Sequence, residues 1–330
     1  MEHAEEYDAD EPQTARRQFD PIIDCWYLTG PTASGKTGVA LELARQLDAE
    51  IVSLDSMAVY RGMDIGTAKP TPDQRAAVPH HLIDVADAVE EFNVWRYAEA
   101  AANIVGEIRG RGREVLFVGG TPLYLKAMLR GLLAGPGADW EFRRQVAEEV
   151  ERVGSEALYD RVRQVDPLSA ARLDPSDTRR LIRVLEVHKL TGQPLSHLQS
   201  QFDEGRPASE CHVFVLDWPR PALHKRIESR VDAMFAQGFV AEVEGLLARF
   251  GRLGRTASQA VGYREVVEHL QNGVRLEETI GHVKTRTRRF ARRQATWFRS
   301  LSECRRVACD ADSSPTRLAR QIVESASGAA

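Results

Sequence analysis

Gly30-Pro31-Thr32-Ala33-Ser34-Gly35-Lys36-Thr37 is the stretch on which the fold turns. An apolar run, Ile22 to Leu28, enters it with the length of a buried strand. Val39, Ala40, Leu43, Ala44 and Leu47 leave it at helical spacing. A G-x-x-x-x-G-K-[ST] stretch between a strand and a helix reads as a phosphate-binding loop, here spanning Gly30, Thr32, Ala33, Ser34, Gly35, Lys36 and Thr37. The first N–H groups of a helix have no acceptor within it, so they point at an anion that the helix dipole also favours. Lys36 is placed to neutralise terminal phosphate charge, and Thr37 to ligate Mg²⁺. The loop specifies phosphates rather than a reaction; on its own it favours ATP binding, with NTP hydrolysis or kinase chemistry.

Working outward, Ile51 to Leu54 is a second apolar run and ends at Asp55. Val115 to Val118 is a third and ends in Gly119-Gly120-Thr121. His212 to Leu216 is a fourth. Strands alternating with helical stretches predict an α/β fold: a P-loop NTPase-like core with a mainly parallel sheet flanked by helices. Ligands in such sheets sit beyond the carboxyl ends of the strands, where Gly30, Asp55 and Thr121 are expected to converge. Asp55 there suits an acid–base role or a water-mediated metal contact. The alternative is an Asp that caps the next turn.

Strand signals vanish over residues 135–207, which read as an all-helical insertion domain with Leu181, Val184, Leu185 and His188 on one helix face. The expected organisation is a disordered acidic tail (1–20), the first part of the core (21–134), the insertion (135–207), the second part of the core with basic C-terminal helices (208–324), and a frayed tail (325–330). The C-terminal third also reads as helical.

Of the 330 residues, 43% are hydrophobic, enough for a sizeable core, and the formal net charge is −4, which excludes a wholly basic nucleic-acid binder but not a local basic face. Four scattered cysteines, without a C-x-x-C pair, argue against a zinc site or a disulfide framework. The early acidic residues, Glu2 to Glu11, are the opposite of a targeting peptide, and no apolar stretch has membrane-spanning length; a cytoplasmic protein is expected. His80-His81 lacks partner spacing for a metal and is expected to be structural.

Several separated blocks together resemble the tRNA dimethylallyltransferase (tRNA isopentenyltransferase) family, bacterial type. They are the 30–37 loop, residues 55–70 (DSMAVYRGMDIGTAKP), Pro79 to Asp84, Gly119 to Tyr124, Asp177 to Val187 and Ala260 to Glu265. They cover roughly residues 22–300. The resemblance implies transfer of a dimethylallyl group from its diphosphate to N6 of the adenosine 3′-adjacent to the anticodon of tRNA. The loop would then cradle a leaving diphosphate with Mg²⁺ as helper. It implies Asp55 as base toward the adenine amine and Thr121 beside the reacting centre. Arg230, or else Arg226 one turn earlier, would clamp the diphosphate. It further implies tRNA contacts from Asp55, Ser56, Met57, Ala58, Thr121, Arg143, Arg179, Arg180, Leu181, Ile182, Arg183, Gln259, Ala260, Val261, Gly262, Tyr263 and Arg264, with the target base flipped out of its stack. The run from Lys284 to Arg299 carries Lys284 and six arginines without an acid, and suits phosphate-backbone contact. Trp297 and Phe298 are expected to bury against the core. A monomer without an obligate protein partner is expected. Two other readings stand beside this one: a P-loop kinase or prenyltransferase acting on a free adenine nucleotide, and a non-catalytic RNA-binding P-loop protein.

Overall fold

Six short segments build the central sheet, the inner four carrying most of its β-branched and aromatic residues: Trp26–Thr29 (β1), Ala49–Ser53 (β2), His80–His81 (β3), Glu114–Gly119 (β4), His212–Asp217 (β5) and Cys304–Ala308 (β6). The computed structural model describes residues 18–133, 135–199 and 205–327. The strand order is β3-β2-β4-β1-β5-β6, and every pair is parallel. Trp26 of β1 lies opposite Leu116 on one side and His212 on the other, so β1 is central, and Tyr27, Leu28 and Thr29 are buried. Continuous apolar runs are what a parallel strand buried on both faces requires. The mainly parallel α/β fold expected from the sequence is therefore present.

The chain divides into two compact units. One is Pro21–Leu129 with Gly205–Ala330; the other is Met1–Asp20 with Arg130–Glu204. The first holds the sheet and its covering helices: Lys36–Leu47 (α1), Val94–Gly110 (α2), Arg220–Ala236 (α3), Phe239–Phe250 (α4), Tyr263–Asn272 (α5), Leu276–Arg299 (α6) and Pro315–Ser327 (α7), among others. Val39, Ala40, Leu43 and Ala44 of α1 pack on Leu28, Ile51 and Leu116 of the sheet and on Leu318, Ala319 and Ile322 of α7. The other unit is a helical cluster, Trp140–Val153, Ser155–Val165, Pro167–Arg172 and Thr178–Thr191, closed around Val146, Leu158, Val162, Leu181, Val184 and Leu185.

Three expectations need correcting. The C-terminal third is not helical throughout, because Cys304–Ala308 adds the edge strand β6; two arginines interrupt its apolar pattern, so no apolar run announces it. Gln18–Phe19 is not tail but pairs antiparallel with Leu132–Leu133, so the helical unit takes in residues before the core as well as the stretch from Arg130. Ser325–Ser327 is the last turn of α7 rather than a frayed end. The acidic residues 1–17 and the final residues 328–330 lie outside the described residues. No helix among the described residues is long and apolar enough to cross a membrane.

Candidate active site

β1, β4 and β2 are neighbours in the sheet, so the loops that follow them leave side by side. Hydrogen bonds zip these loops together. Leu54 N–H donates to Val118 O (2.8 Å), Thr121 N–H to Leu54 O (3.2 Å), and Thr29 Oγ1 to Gly119 O (2.8 Å). A cavity of about 350 Å³ opens beyond these strand ends.

The loop after β1 forms one wall. Gly30 has φ +148°, and a Cβ there would lie 3.0 Å from Leu216 O, so this glycine lets the loop pass close to β5. Ala33 takes φ +63°, unusual for a residue with a side chain. Two groups from outside the loop hold it there: Arg226 Nε donates to Ala33 O (2.8 Å), and Trp218 Nε1 donates to Ser34 O (2.8 Å). The Arg226 guanidinium also covers the Trp218 ring at 4.3 Å. Gly35 is the N-cap of α1, and no side chain caps that helix, so its first N–H groups are available to an anion. Ser34 Oγ is buried in the loop without a partner among the described residues. Lys36 Nζ curls back onto Gly30 O and Pro31 O, both at 2.9 Å. Burial, reinforced by the nearby Arg230 charge and opposed by Asp55, pushes its ammonium down to about 7.

Asp55 and Thr121 line the same cavity as the loop. Asp55 Oδ1 accepts from Met57 N–H (2.8 Å) and Ala58 N–H (3.3 Å). Oδ1 thus caps the turn, while Oδ2 has no hydrogen bond among the described residues. Thr121 Oγ1 accepts from Ser56 N–H (3.0 Å) and lies 3.3 Å from Ser56 Oγ.

α3 and α6 complete the wall. Arg230 lines the cavity, with Nη2 3.4 Å from Thr67 O; burial lowers its guanidinium below its usual value. Ile227, Val231, Met234, Phe239, Val283 and Phe290 make the remaining wall apolar. Glu242 of α4 gathers the 64–66 turn. Its carboxylate accepts from the N–H groups of Asp64 (2.9 Å), Ile65 (2.6 Å) and Gly66 (3.2 Å) and from Tyr263 Oη (2.6 Å).

The structure gathers Thr32, Ala33, Ser34, Gly35, Lys36, Thr37, Asp55, Ser56, Met57, Ala58, Thr121, Arg230 and residues 259–263 around this one cavity. Arg226 touches the loop itself, through Ala33 O, and is not among the residues that line the cavity. Tyr263 is wholly buried with its hydroxyl committed to Glu242, so it supports the wall rather than presenting a polar group. Arg264 stands outside, paired with Glu268 at 2.9 Å.

In the helical unit, Leu181 and Ile182 are core residues, Leu181 wholly buried and Ile182 largely so. Arg143 is held bidentately by the fully buried Glu186, both bonds at 2.7 Å, and Arg183 pairs with the same carboxylate and with Pro136 O (2.9 Å). Arg180 is exposed beside Asp177, and Arg179 is exposed too.

Gln294, Arg293, Phe290, Phe239 and Met234 also line the cavity, although no motif in the sequence marks them. Their one sequence signal is membership of the basic or amphipathic helical runs. On α6, Lys284 pairs with Asp232 (2.6 Å), Arg286 with Glu265 and Arg288 with Glu228 (2.9 Å), while Arg289, Arg292 and Arg293 stay exposed with no ion pair among the described residues. Phe298 is buried and Trp297 half-buried. His81 Nε2 lies 2.7 Å from Glu50, which Arg111 also grips, and among the described residues no group of three His, Cys, Asp or Glu side chains forms a metal cage.

The family model described as IPP transferase matches residues 58–301. The chain belongs to the IPP transferase family. Relatives extend the likeness over nearly the full length. The tRNA dimethylallyltransferase of Rhodopirellula baltica is 52% identical over 314 residues, covering 92% of this chain and 94% of that protein. The tRNA dimethylallyltransferase of Syntrophobacter fumaroxidans is 46% identical, covering 84% and 81%. Among solved structures, the full-length tRNA isopentenylpyrophosphate transferase of Bacillus halodurans superposes with a TM-score of 0.65 at 36% identity, covering 93% of this chain and 98% of that one. A eukaryotic dimethylallyltransferase captured acting on tRNA gives 0.72 at 25% identity, covering 92% and 78%. The IPP transferase match begins after the glycine-rich loop and Asp55.

Proposed function

We propose that this chain is a tRNA dimethylallyltransferase, moving a dimethylallyl group from dimethylallyl diphosphate to N6 of the adenosine 3′-adjacent to the anticodon and releasing diphosphate. One observation carries the reading: a single cavity joins an anion cradle, an apolar wall and a carboxylate with one oxygen uncommitted. A kinase needs the cradle but not an apolar wall beside it.

In this scheme the diphosphate lies on the N–H groups of the loop and α1, with Lys36 and Arg230 balancing its charge. The allylic C–O bond breaks toward that cradle, where preorganised donors favour the charge that develops. The new C–N bond forms to the adenine amine, and the amine proton passes to Asp55. Thr121, fixed by Ser56, holds the acceptor side. The hydroxyl of Thr37 is a hard oxygen donor on the cavity wall, which fits Mg²⁺ held by one protein oxygen together with substrate phosphates. When bound, that ion would supply charge neutralisation at the leaving group. The exposed arginines of α6 and of Thr178–Thr191 are assigned to the tRNA backbone, and the substrate implies a cytoplasmic enzyme.

Incubation with dimethylallyl diphosphate and either tRNA or AMP tests this. Expected is prenylated adenosine in digested tRNA with AMP unchanged. Prenylated AMP beside inert tRNA would assign the cavity to a free nucleotide instead.

A further inference from the structure

Gln294 lies on the buried face of α6 with Ala291 and Phe298 and is only 3% exposed. A buried amide needs partners for both its ends. Neither partner of Gln294 is on its own helix. Its Oε1 accepts from Thr32 N–H at 2.9 Å, and its Nε2 donates to Gly120 O at 2.6 Å. Thr32 belongs to the phosphate loop after β1. Gly120 precedes Thr121 in the loop after β4. One side chain therefore ties together two neighbouring loops that both border the cavity.

The glycine at position 120 follows from this bridge. A Cβ there would lie 2.7 Å from Gln294 Nε2, closer than side-chain carbons come to such an atom, while Lys36 Nζ would stand at an ordinary 3.6 Å. Room at this point is room for the amide. The bridge also uses the Thr32 N–H, which is thereby tied to the protein instead of being left for a phosphate.

We propose that Gln294 is a positioning residue for group transfer, its amide setting the separation between the diphosphate cradle and the Asp55–Thr121 side that holds the acceptor. The inference rests on the reading given under Proposed function. Transfer needs the breaking C–O and forming C–N bonds in line, and a displacement of about 1 Å at the reacting atoms costs on the order of 100-fold in rate. Gln294 touches neither substrate in this scheme, so its removal should act on turnover more than on binding.

The test is steady-state diphosphate release with tRNA and dimethylallyl diphosphate each varied, for wild type, Gln294→Met, Gln294→Ala, Gly120→Ala and Gln294→Ala/Gly120→Ala, with unfolding midpoints measured alongside. Gln294→Met keeps the volume and removes both hydrogen bonds. Its kcat is expected to fall about 10- to 100-fold, with both KM values within about threefold and the midpoint above the assay temperature. Gly120→Ala, which leaves Gln294 present but displaced, is expected to show the same split. Its effect should largely disappear in the Gln294→Ala background, since contacting sites with one shared role are not additive. A kcat within about threefold of wild type, a loss that follows the unfolded fraction, a loss carried by the KM for the prenyl diphosphate alone, or additive losses in the double variant would each overturn the inference. A wild type that releases no diphosphate with tRNA would instead remove the functional reading itself.

Discussion

Lys36 concentrates the electrostatics of the cradle in one titratable group. Burial brings its ammonium down to about 7, and a bound diphosphate would raise it again. The sign follows from linkage. Below pH 7 the amine already carries its proton. Above pH 7 a proton must be taken up for the same charge pairing, so diphosphate affinity should weaken as pH rises from about 7 toward 9. Calorimetry of diphosphate binding in buffers of different ionisation enthalpy is expected to show net proton uptake near pH 8; zero uptake would mean that Lys36 stays charged in the empty cavity. Asp55 and Thr121 are legible in the sequence alone. Each ends a strand-like run, and strand ends in a parallel sheet share an edge. Gln294 is not legible in this way: within a run of arginines, a glutamine reads as solvated helix surface. Only the packing of α6 over the sheet edge buries it. Arg226 and Arg230 are indistinguishable in sequence at four-residue spacing; in the structure one bonds the loop at Ala33 O and the other lines the cavity.

At the scale of elements, helix Thr178–Thr191 combines a readable face with a hidden anchor. The apolar period picks out Leu181, Val184 and Leu185, which are buried. Glu186 interrupts that period, yet it is fully buried and joins the helix to the N-terminus of Trp140–Val153 through Arg143 and Asp139 N–H (2.8 Å). Burial alone would raise its carboxyl, but the bonds from Arg143 and Arg183 outweigh it and hold it below the usual carboxylate range. A depressed folded-state value stabilises above the unfolded value of about 4.3 and is lost as pH falls through the folded one. Glu186→Ala is expected to destabilise the helical unit by about 3 kcal/mol at neutral pH, because two cations lose a buried partner. The difference from wild type should shrink in acid; denaturant melts at pH 7 and pH 3 check both points, and equal losses at the two would contradict the ionic account. β6 is unreadable for the opposite reason. It is an edge strand whose pattern is broken by Arg305 and Arg306, so its sequence lacks the apolar run that marks the inner strands.

For the molecule as a whole, a net charge of −4 means that attraction to tRNA must come from local cations rather than from the overall field. Arg289 and Arg292 are exposed and without ion pairs among the described residues, unlike Lys284, Arg286 and Arg288 on the same helix. Replacing each by Gln is expected to weaken tRNA binding and to reduce the slope of log K against log salt by about 1 per arginine. An unchanged slope would place the tRNA elsewhere. The same replacement at Arg286 should disturb folding instead, since its partner Glu265 is buried. The central claim is that the cradle holds a leaving group while Asp55 serves the acceptor. Diphosphate release with tRNA and dimethylallyl diphosphate, wild type against Asp55→Ala, tests it most directly when tRNA affinity is measured on the same samples. Release should fall by about 10²- to 10⁴-fold with tRNA binding largely kept. Equal losses of binding and rate would reduce Asp55 to the anchor of the Met57–Ala58 turn.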